Sequence, residues 1–498
     1  MKTETKQRIE QIRHGNVPEG YKKTKAGILP ADWDVHMLGD CLSRVERPVE
    51  VNPNELYTQI GIRSHGKGLF YKEPVTGATL GNKSVFWIEP DCFIVNIVFA
   101  WEQAIGKTTQ SEAGMIGSHR FPMYRPVNDK VDIDYLISYF LTKRGTDILE
   151  AASPGGAGRN KTLGQDRFLK SKIILPPIEE QRKIAAILTT QDKVIELKEN
   201  RLAEKQRQKK YLMQQLLTGR KRLPGFSGQW EIKGFNQIFT FGATNTFSRE
   251  CMGEDSTGIK NIHYGDILVR YGEVLKLSEQ EIPSLLSDIG AKITTFVDDG
   301  DVVIADTAED LTAGKVVEVQ ETHGKKVAAG LHTMLCKPIK GCFAPGWLGY
   351  YMNSESYHKQ LVPYIAGIKV MSISKGNIVK THILVPPIEE QNAIVSVLST
   401  ADREIDLLRQ DIEQEKQKKK ALMQLLLTGI VRVVVKGGEK CMATNPPSGD
   451  GHRNGAVKDR SQTFNPVTKQ WVKRDSDTGR FMDVKKDGTP FKGVRKEK

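Results

Sequence analysis

The sequence predicts an α+β protein in which two globular modules are separated by two long helices. The helices are expected to form an antiparallel coiled coil, and the whole chain to have a pseudo-two-fold repeat. Three observations predict this fold: a 44-residue segment occurs twice, both copies space apolar residues by heptads, and a loop-rich segment of similar length precedes each copy. At 498 residues the chain is also longer than one hydrophobic core usually supports.

An N-terminal segment (residues 1–28) precedes the first module (residues 29–175), which opens with Leu29-Pro30 before Trp33. Short β-like runs such as Phe93–Phe99 alternate with turns, which is typical of a loop-rich α+β domain. Tyr135–Leu141 predicts a helix near the end of the module.

The first repeat (residues 176–222) begins with Pro176-Pro177, and a proline pair suits the entry to a helix. A short helix is expected near Ile178–Leu188. With Thr190 as its N-cap and Gly219 beyond its end, a second helix of about 27 residues should follow. Acidic residues in the first helical turn complement the helix dipole.

The second module (residues 223–385) repeats the opening as Leu223-Pro224 before Trp230. Its interior contains β-like runs at Ile267–Arg270 and Val302–Ile304, and Trp347–Met352 predicts a helix. The two modules are therefore interpreted as divergent versions of one unit.

The second repeat (residues 386–435) matches the first at a constant offset of 210, with about half of its positions identical. Its short helix is expected near Ile388–Leu398, followed by Thr400 as N-cap and Gly429 at the end of a second long helix. The heptad positions of the two copies are Ile195, Leu202, Lys209 and Leu216, and Ile405, Ile412, Lys419 and Leu426.

Two such stripes can bury each other. An antiparallel pairing within the chain would place the two modules at opposite ends of a rod. The alternative is a coiled coil that serves only for oligomerisation, but a matched pair of stripes in one chain favours intramolecular pairing.

The C-terminal appendage (residues 436–498) contains 15 basic and 8 acidic residues, so it supplies +7 of the total formal charge of +13. A disordered basic tail and a fused module are both compatible with this composition. A basic protein favours a polyanionic partner, but the repeat predicts the function more strongly than the charge does.

Several basic and amide side chains lie in loops where they could contact DNA phosphates or base edges. Two such loops contain paired Ala-Gly steps, Ala157-Gly158 and Ala366-Gly367, where the backbone could approach a phosphate closely. Solvated surface residues in tight turns are the alternative. The candidates are Arg63, His65, Lys67, Lys107, Arg159, Asn160, Lys161, Asn245, Arg249 and Lys369.

The sequence offers no catalytic or metal site. Gly61–Lys67 fits a phosphate-binding loop, but Gly68 replaces the Ser or Thr that would hold magnesium. Asn445-Pro446-Pro447 lacks the aromatic residue of an adenine methyltransferase motif. The six cysteines form no CxxC pair and the histidines show no ligand spacing. No signal peptide or membrane span is evident, so a cytoplasmic protein is expected.

The order of modules and PPIEEQ units, with LLTGRKRLPGF after the first unit, resembles the specificity subunit of type I restriction-modification systems over roughly residues 18–435. The resemblance implies a non-catalytic subunit whose two target-recognition domains each read one half of a bipartite site in double-stranded DNA.

The same resemblance implies partners. Two methyltransferase subunits would dock on the helical repeats, and motor-nuclease restriction subunits would complete the complex. No cofactor is expected on this chain, because S-adenosylmethionine, ATP and magnesium would be used by those partners. The residues expected at the docking surface are Ile178, Ile184, Leu188, Ile388, Ile394 and Leu398.

Two rival functions remain open at this point. A DNA methyltransferase or nuclease with a cryptic active site would have to bind its cofactor alone. A purely architectural coiled-coil protein would need neither of the Trp-headed modules.

Overall fold

The computed structural model describes residues 3–25, 27–81, 83–155, 161–253, 258–286, 293–433, 460–466, 468–475, 478, 480–485, 489–491 and 494–496. The chain forms two compact units. Unit 1 consists of Met1–Ala186 with Leu425–Lys498, and unit 2 of Ile187–Gln424.

The helices are short except for two. They are α1 (Thr3–Arg13), α2 (Gly77–Leu80), α3 (Ile133–Phe140), α4 (Lys143–Ala151), α5 (Gln165–Leu169), α6 (Ile178–Leu216), α7 (Phe235–Ile238), α8 (Tyr264–Val269), α9 (Trp347–Met352), α10 (Glu355–Leu361), α11 (Lys375–Ile378) and α12 (Ile388–Leu426).

In unit 1 the largest sheet of the first module has four strands, in the spatial order Ile105–Lys107, Phe93–Val95, Met123–Pro126 and Leu42–Val45. The other strands of the module form two-stranded pairs. They are Tyr21–Thr24, Gly27–Pro30, Asp34–Met37, Leu56–Tyr57, Ile60–Ile62, Leu69–Tyr71, Val75–Thr76, Val85–Trp87, Ile116–Ser118 and Lys172–Leu175.

In unit 2 a five-stranded sheet has the order Phe239–Gly242, Thr333–Pro338, Val302–Ala305, Val316–Gln320 and Val274–Lys276. A four-stranded sheet has the order Met252–Gly253, Ser284–Leu285, Lys260–Ile262 and Val327–Ala329. The remaining strands form two pairs, Glu231–Gly234 with His382–Val385 and Thr307–Ala308 with Met371–Ser372.

Both modules close in the same way. The strand that leads into each Pro-Pro pairs antiparallel with the strand that follows the opening tryptophan: Lys172–Leu175 with Asp34–Met37, and His382–Val385 with Glu231–Gly234. The beginning and end of each module are therefore held side by side where its long helix starts.

One predicted element is wrong in type. Residues 267–269, predicted as part of a strand, lie in α8. The local reason is a cap at the start of this helix, where the His263 side chain accepts a hydrogen bond from the backbone N–H of Gly265.

The predicted break in each repeat is also wrong, because α6 and α12 are continuous helices of 39 residues each, or about 58 Å long. No Gly or Pro interrupts either helix. Thr400, expected as an N-cap, instead donates its hydroxyl hydrogen to the carbonyl oxygen of Ser396, one turn earlier. Each helix ends as predicted, with Gly219 and Gly429 at φ of +67° and +73°.

Within unit 2 the two long helices pair antiparallel, because the sequence positions of contacting residues rise in one helix as they fall in the other. Lys198 lies 2.8 Å from the carboxylate of Asp411, and Lys205 lies 2.6 Å from that of Glu404. Ile195, Ile405 and Ile412, from the predicted heptads, are buried.

The ion pair between Lys209 and Asp402 has a counterpart between Lys419 and Asp192. Lys419 lies 210 positions after Lys209, and Asp402 lies 210 positions after Asp192. The repeat therefore relates one ion pair to the other. This is the pseudo-two-fold relation that the sequence predicts.

A buried glutamate near the start of each long helix fixes the module that precedes it. In unit 1 the Glu180 carboxylate accepts two hydrogen bonds from the Arg432 guanidinium, each 2.7 Å long, and a third from Trp33 Nε1. Arg432 also pairs with Asp32. The hydrogen bonds to Glu180 raise the pKa of Arg432, which therefore stays charged.

In unit 2 the Glu390 carboxylate accepts the same three hydrogen bonds, from the Arg222 guanidinium and from Trp230 Nε1. Arg222 and Arg432 are again 210 positions apart, as are Glu180 and Glu390. Each arginine follows one long helix and binds the glutamate at the start of the other. These two clusters were not predicted from the sequence, although the offset of 210 relates their charged residues.

Candidate nucleic-acid interface

Three of the predicted DNA-contacting residues share one hairpin loop of unit 1. Strands Ile60–Ile62 and Leu69–Tyr71 pair antiparallel, and the loop between them exposes the side chains of Arg63, His65 and Lys67. Arg63 donates a hydrogen bond to the carbonyl oxygen of residue 69. This hairpin replaces the strand-to-helix turn of a nucleotide-binding loop.

A short turn connects this loop with Lys161. The backbone N–H of His65 donates to the carbonyl oxygen of Glu102 at 2.8 Å, and the Ser64 hydroxyl donates to the Glu102 carboxylate at 2.9 Å. The ammonium group of Lys161 lies 5.3 Å from the centre of the neighbouring Trp101 ring. The loop that carries Arg63, His65 and Lys67 is therefore hydrogen-bonded to the turn whose Trp101 contacts Lys161, and we call this surface patch 1.

Arg159 and Asn160 lie outside the described residues. The residues that bound their loop, Gly155 and Lys161, form an antiparallel bridge.

Lys107 lies elsewhere in unit 1. Its ammonium group is 2.7 Å from the Asp134 carboxylate, and it lines a surface cleft of about 250 Å³ together with Arg125 and Arg182. Each of these three cations has a carboxylate partner.

In unit 2 Lys369 lies on a tight loop between Ala366 and Ser372, which form an antiparallel bridge. Gly367 has a φ of +148°, and a Cβ there would lie 1.9 Å from the carbonyl oxygen of residue 370, so the turn requires glycine. The loop presents Lys369 beside Ile368, whose side chain is 97% exposed.

This loop adjoins a group of aromatic and polar side chains. Its strand Met371–Ser372 pairs with Thr307–Ala308. The backbone N–H of Asp306 donates to the carbonyl oxygen of His332, and the His332 ring packs edge-on against Tyr264 at 5.3 Å. Loop 366–372 and these side chains form a second surface, which we call patch 2.

Arg249 joins patch 2 through α8. Its guanidinium forms two hydrogen bonds of 2.7 Å with the buried carboxylate of Asp266, two residues after Tyr264. These hydrogen bonds raise the pKa of Arg249. The Arg249 side chain remains 54% exposed, so its other N–H groups are open to an acceptor.

The Asn245 side chain makes hydrogen bonds within the protein. Its amide nitrogen donates to the Asn261 side chain and to the carbonyl oxygen of Ala329, and its amide oxygen accepts from the backbone N–H of Phe247. An amide engaged in this way positions the loop that leads to Arg249.

The expected docking residues need correction. Ile184, Leu188, Ile394 and Leu398 are buried in the chain itself, because the apolar stripe at the start of each long helix faces its own protein core. Ile394 and Leu398, for example, pack in one core cluster of unit 2. These four residues cannot contribute to a docking surface.

Two leucines on the long helices are exposed instead. Leu197 is 60% exposed and Leu407 is 59% exposed, and they are 210 positions apart. The two repeats therefore present the same apolar residue to solvent. Ile178 and Ile388, from the predicted set, are only partly covered.

A match to a known family model identifies the family of this chain. The family model for the type I restriction modification DNA specificity domain matches residues 81–207 and 228–417, which include most of both modules and of both long helices. The chain belongs to this family of specificity subunits.

Curated relatives in this family extend over most of the chain. The putative type I restriction enzyme MjaX specificity subunit of Methanocaldococcus jannaschii is 25% identical in an alignment of 454 positions that covers 83% of this chain and 97% of the relative. The type I restriction enzyme MjaVIII specificity subunit of the same organism is 23% identical in an alignment of 438 positions that covers 83% of this chain and 96% of the relative.

A solved chain from a study of the complex assembly and conformational transition of the type I R-M system has the same fold. It is 20% identical, covers 81% of this chain and 99% of its own length, and superposes with a TM-score of 0.52. The predicted α+β fold, with two target-recognition domains and paired long helices, is therefore confirmed.

Over the described residues, every helix is too short or too polar to cross a membrane. No three His, Cys, Asp or Glu side chains in that part of the chain come together as metal ligands would.

The aromatic residues of the two patches were not predicted from the sequence. Trp101, Tyr264 and His332 carry no spacing signal, because each reaches its patch through pairings between distant parts of the chain.

Proposed function

We propose that this specificity subunit reads a bipartite site in double-stranded DNA, with one half read by each target-recognition domain. The observation that carries the proposal is the repeat itself: each half of the chain contains a module, a long helix and a buried Glu-Arg-Trp cluster. We assign the domains to residues 29–175 and 223–385, and the helical repeats, which set the gap, to residues 176–222 and 386–435.

Patch 1 is the proposed reading surface of the first domain. Arg63, Lys67 and Lys161 supply cations for phosphates or guanine edges, and the His65 ring can donate or accept a hydrogen bond. Arg159 and Asn160, which precede Lys161 in the sequence, remain proposed DNA contacts of this domain. Lys107 is left with a weaker role, because Asp134 already neutralises it.

Patch 2 is the proposed reading surface of the second domain. Lys369 supplies a phosphate contact, and Arg249 can use its remaining N–H groups on a base edge. Asp266 holds the Arg249 guanidinium in one orientation, as a specific contact requires.

We infer that the chain catalyses no reaction and binds no cofactor of its own. Methylation with S-adenosylmethionine, and ATP- and magnesium-dependent translocation and cleavage, belong to two methyltransferase subunits and to motor-nuclease subunits. The exposed leucines at 197 and 407 are the proposed centres of two equivalent docking surfaces for the methyltransferase subunits. Such a complex would act on chromosomal and foreign DNA in the cytoplasm.

The test is to co-express the chain with its methyltransferase partner in an unmodified host and to map N6-methyladenine by single-molecule sequencing. One bipartite motif, found only when both proteins are present, supports the proposal. Lys369→Ala should weaken methylation or relax sequence choice in one half of the motif, and Lys161→Ala in the other. Lys359→Ala, on an exposed turn of α10, is the control and should leave the motif unchanged.

If a soluble, co-purifying complex methylated no motif, the architectural function would be favoured. If both patch variants changed the same half, the assignment of one patch to each half would be wrong.

A further inference from the structure

His332 of patch 2 has an uncommon backbone conformation. Its φ is +55°, in the left-handed region that side chains rarely adopt. The residue lies in the turn between strands Val327–Ala329 and Thr333–Pro338. Its carbonyl oxygen accepts a hydrogen bond of 3.1 Å from the backbone N–H of Asp306, so a neighbouring segment holds the turn. Such a conformation persists only where the surrounding structure imposes it, and it is often found at functional sites.

One nitrogen of the His332 ring contacts the protein. Nδ1 lies 3.5 Å from the hydroxyl oxygen of Thr307 and 3.6 Å from the carboxylate of Asp306. Within the part of the chain that the structure describes, every hydrogen-bond or ion-pair contact of the ring is made by Nδ1. The His332 side chain is 49% exposed, so Nε2 is the nitrogen that a ligand can reach.

The hydrogen bonds around Nδ1 determine which nitrogen carries the proton. The Thr307 hydroxyl donates its only hydrogen to the Asp306 carboxylate at 2.7 Å. A hydrogen bond to an ionised acceptor is about twice as strong as one between neutral groups, so the hydroxyl does not turn toward His332. The Thr307 oxygen and the Asp306 carboxylate can then only accept from Nδ1. In the neutral ring Nδ1 therefore carries the proton, and Nε2 is a hydrogen-bond acceptor.

An acceptor adds to patch 2 what its cations lack. The side chains of Arg249 and Lys369 can only donate hydrogen bonds, which suits phosphates and the acceptor edge of guanine. In the major groove the donors of the bases are the N6 amino group of adenine and the N4 amino group of cytosine. The exposed Nε2 of His332 is complementary to these amino groups.

We propose that His332 is a specificity-determining residue of the second target-recognition domain. Its Nε2 accepts a hydrogen bond from the amino group of an adenine or a cytosine in the major groove. Guanine and thymine present only acceptors on that edge, so each would leave Nε2 without a donor. This inference rests on the proposed function, and it names the class of base at one position of the second half-site.

The test removes the amino group from the DNA and leaves the protein unaltered. It uses duplexes that contain the mapped motif, within the half that Lys369→Ala affects. Each adenine or cytosine other than the methylated adenine is replaced in turn by 2′-deoxynebularine or by a 2-pyrimidinone deoxynucleoside, which lack the amino group. Fluorescence anisotropy measures the affinity of the chain in complex with its methyltransferase subunits. At one position the analogue should weaken binding by about tenfold, because a desolvated acceptor loses its donor.

The variant His332→Phe shows whether this loss depends on Nε2. Phenylalanine keeps a ring beside Tyr264 but has no nitrogen, so the analogue should weaken binding of this variant no further. The matched control is His323→Phe. His323 is also exposed and also left-handed, with a φ of +48°, so the control has the same substitution and the same backbone strain in another turn. It should keep the tenfold effect of the analogue.

The inference is overturned if no analogue distinguishes the unmodified complex from the His332→Phe complex. It is also overturned if His332→Phe weakens binding to all sequences alike, since His332 would then contact a phosphate rather than a base. These outcomes leave the proposed function intact, because the unmodified complex still methylates its bipartite motif. If the unmodified complex methylated no motif, the proposed function would fail, and this inference with it.

Discussion

The carboxylate of Glu180 is buried, and the Arg432 and Trp33 side chains donate three hydrogen bonds to it. Taking a carboxylate out of water costs several kcal/mol unless a cation and further hydrogen bonds compensate for the lost hydration. Arg432 and Trp33 provide that compensation in unit 1, and Arg222 and Trp230 provide it for Glu390 in unit 2. The same residue types in two modules with otherwise divergent sequences indicate that the cluster is needed where a module meets its helix.

Removal of one of these arginines should therefore destabilise its unit strongly. We expect Arg432→Ala to lower the free energy of unfolding of unit 1 by about 3–5 kcal/mol, because it leaves the buried Glu180 charge without its cation. Urea denaturation followed by circular dichroism measures this. Arg220→Ala, at an exposed position, should change stability by less than about 0.5 kcal/mol.

Adding Glu180→Gln to Arg432→Ala should recover part of the loss, since the amide carries no charge and still accepts from Trp33. Equal stabilities of the Arg432→Ala and Arg220→Ala proteins would contradict the argument.

His263 gives a second residue-scale prediction. Burial lowers the pKa of His263 below 6.5, and the nearby Arg249 cation lowers it further. As the pH falls through 6.5, the unfolded chain binds a proton at this position before the folded chain does. Stability is therefore fully present above pH 6.5 and declines as the pH falls toward the folded pKa.

The matched variant is His263→Asn, because asparagine can still cap α8 at Gly265 but does not titrate. The loss of thermal stability between pH 7.5 and pH 5.5 should be smaller in this variant than in the unmodified protein. Identical losses would mean that His263 does not govern this pH range.

At the scale of elements, equivalent positions of the repeat occupy different environments. Lys209 and Lys419 each pair with an aspartate of the facing helix. Lys209 also contacts the Glu273 carboxylate and lies 5.5 Å from the Tyr350 ring centre, and its side chain is only 12% exposed. Burial alone would lower the pKa of Lys209, but Glu273 and Asp402 raise it, so the amine remains charged. Lys209 thus joins both long helices to the second module.

Truncation of these two lysines should have unequal effects. We expect Lys209→Ala to lower the free energy of unfolding by about 3–5 kcal/mol, because two partly buried carboxylates lose their shared cation. Lys419→Ala should cost less than about 1 kcal/mol, as for an ordinary surface ion pair. Chemical denaturation of both variants makes the comparison, and equal losses would show that burial does not distinguish the two positions.

The long helices illustrate what a sequence can and cannot predict. The heptad spacing and the constant offset predicted two antiparallel helices, since both depend on periodicity along the chain. The same reasoning placed a break at Thr190 and Thr400, because a capping residue was given more weight than the absence of Gly and Pro. It also took the buried Ile394 and Leu398 for docking residues, because an apolar stripe does not state which surface covers it. The patches could be predicted only as isolated loops, since contacts such as Lys161 with Trp101 depend on tertiary structure.

At the scale of the whole molecule, the repeat makes one chain present equivalent residues of its two long helices to solvent. Leu197 and Leu407 are the most direct case, because both are large, apolar, exposed and related by the offset of 210. Apolar side chains at such equivalent places are expected where identical partner subunits dock. One specificity subunit would then recruit two methyltransferase subunits through nearly identical contacts.

The prediction concerns stoichiometry. Leu197→Asp should reduce the purified complex from two methyltransferase subunits per chain to one, and so should Leu407→Asp. The double variant should retain none, since a carboxylate at the centre of an apolar contact must be desolvated. Size-exclusion chromatography with multi-angle light scattering measures the mass of each complex.

Glu196→Asp with Asp406→Glu, which alters neighbouring exposed positions without a change of charge, is the control and should keep both copies. Two copies retained by the double variant would place the docking surfaces elsewhere, whereas loss of both copies by either single variant would mean that the two sites bind cooperatively rather than as independent equivalents.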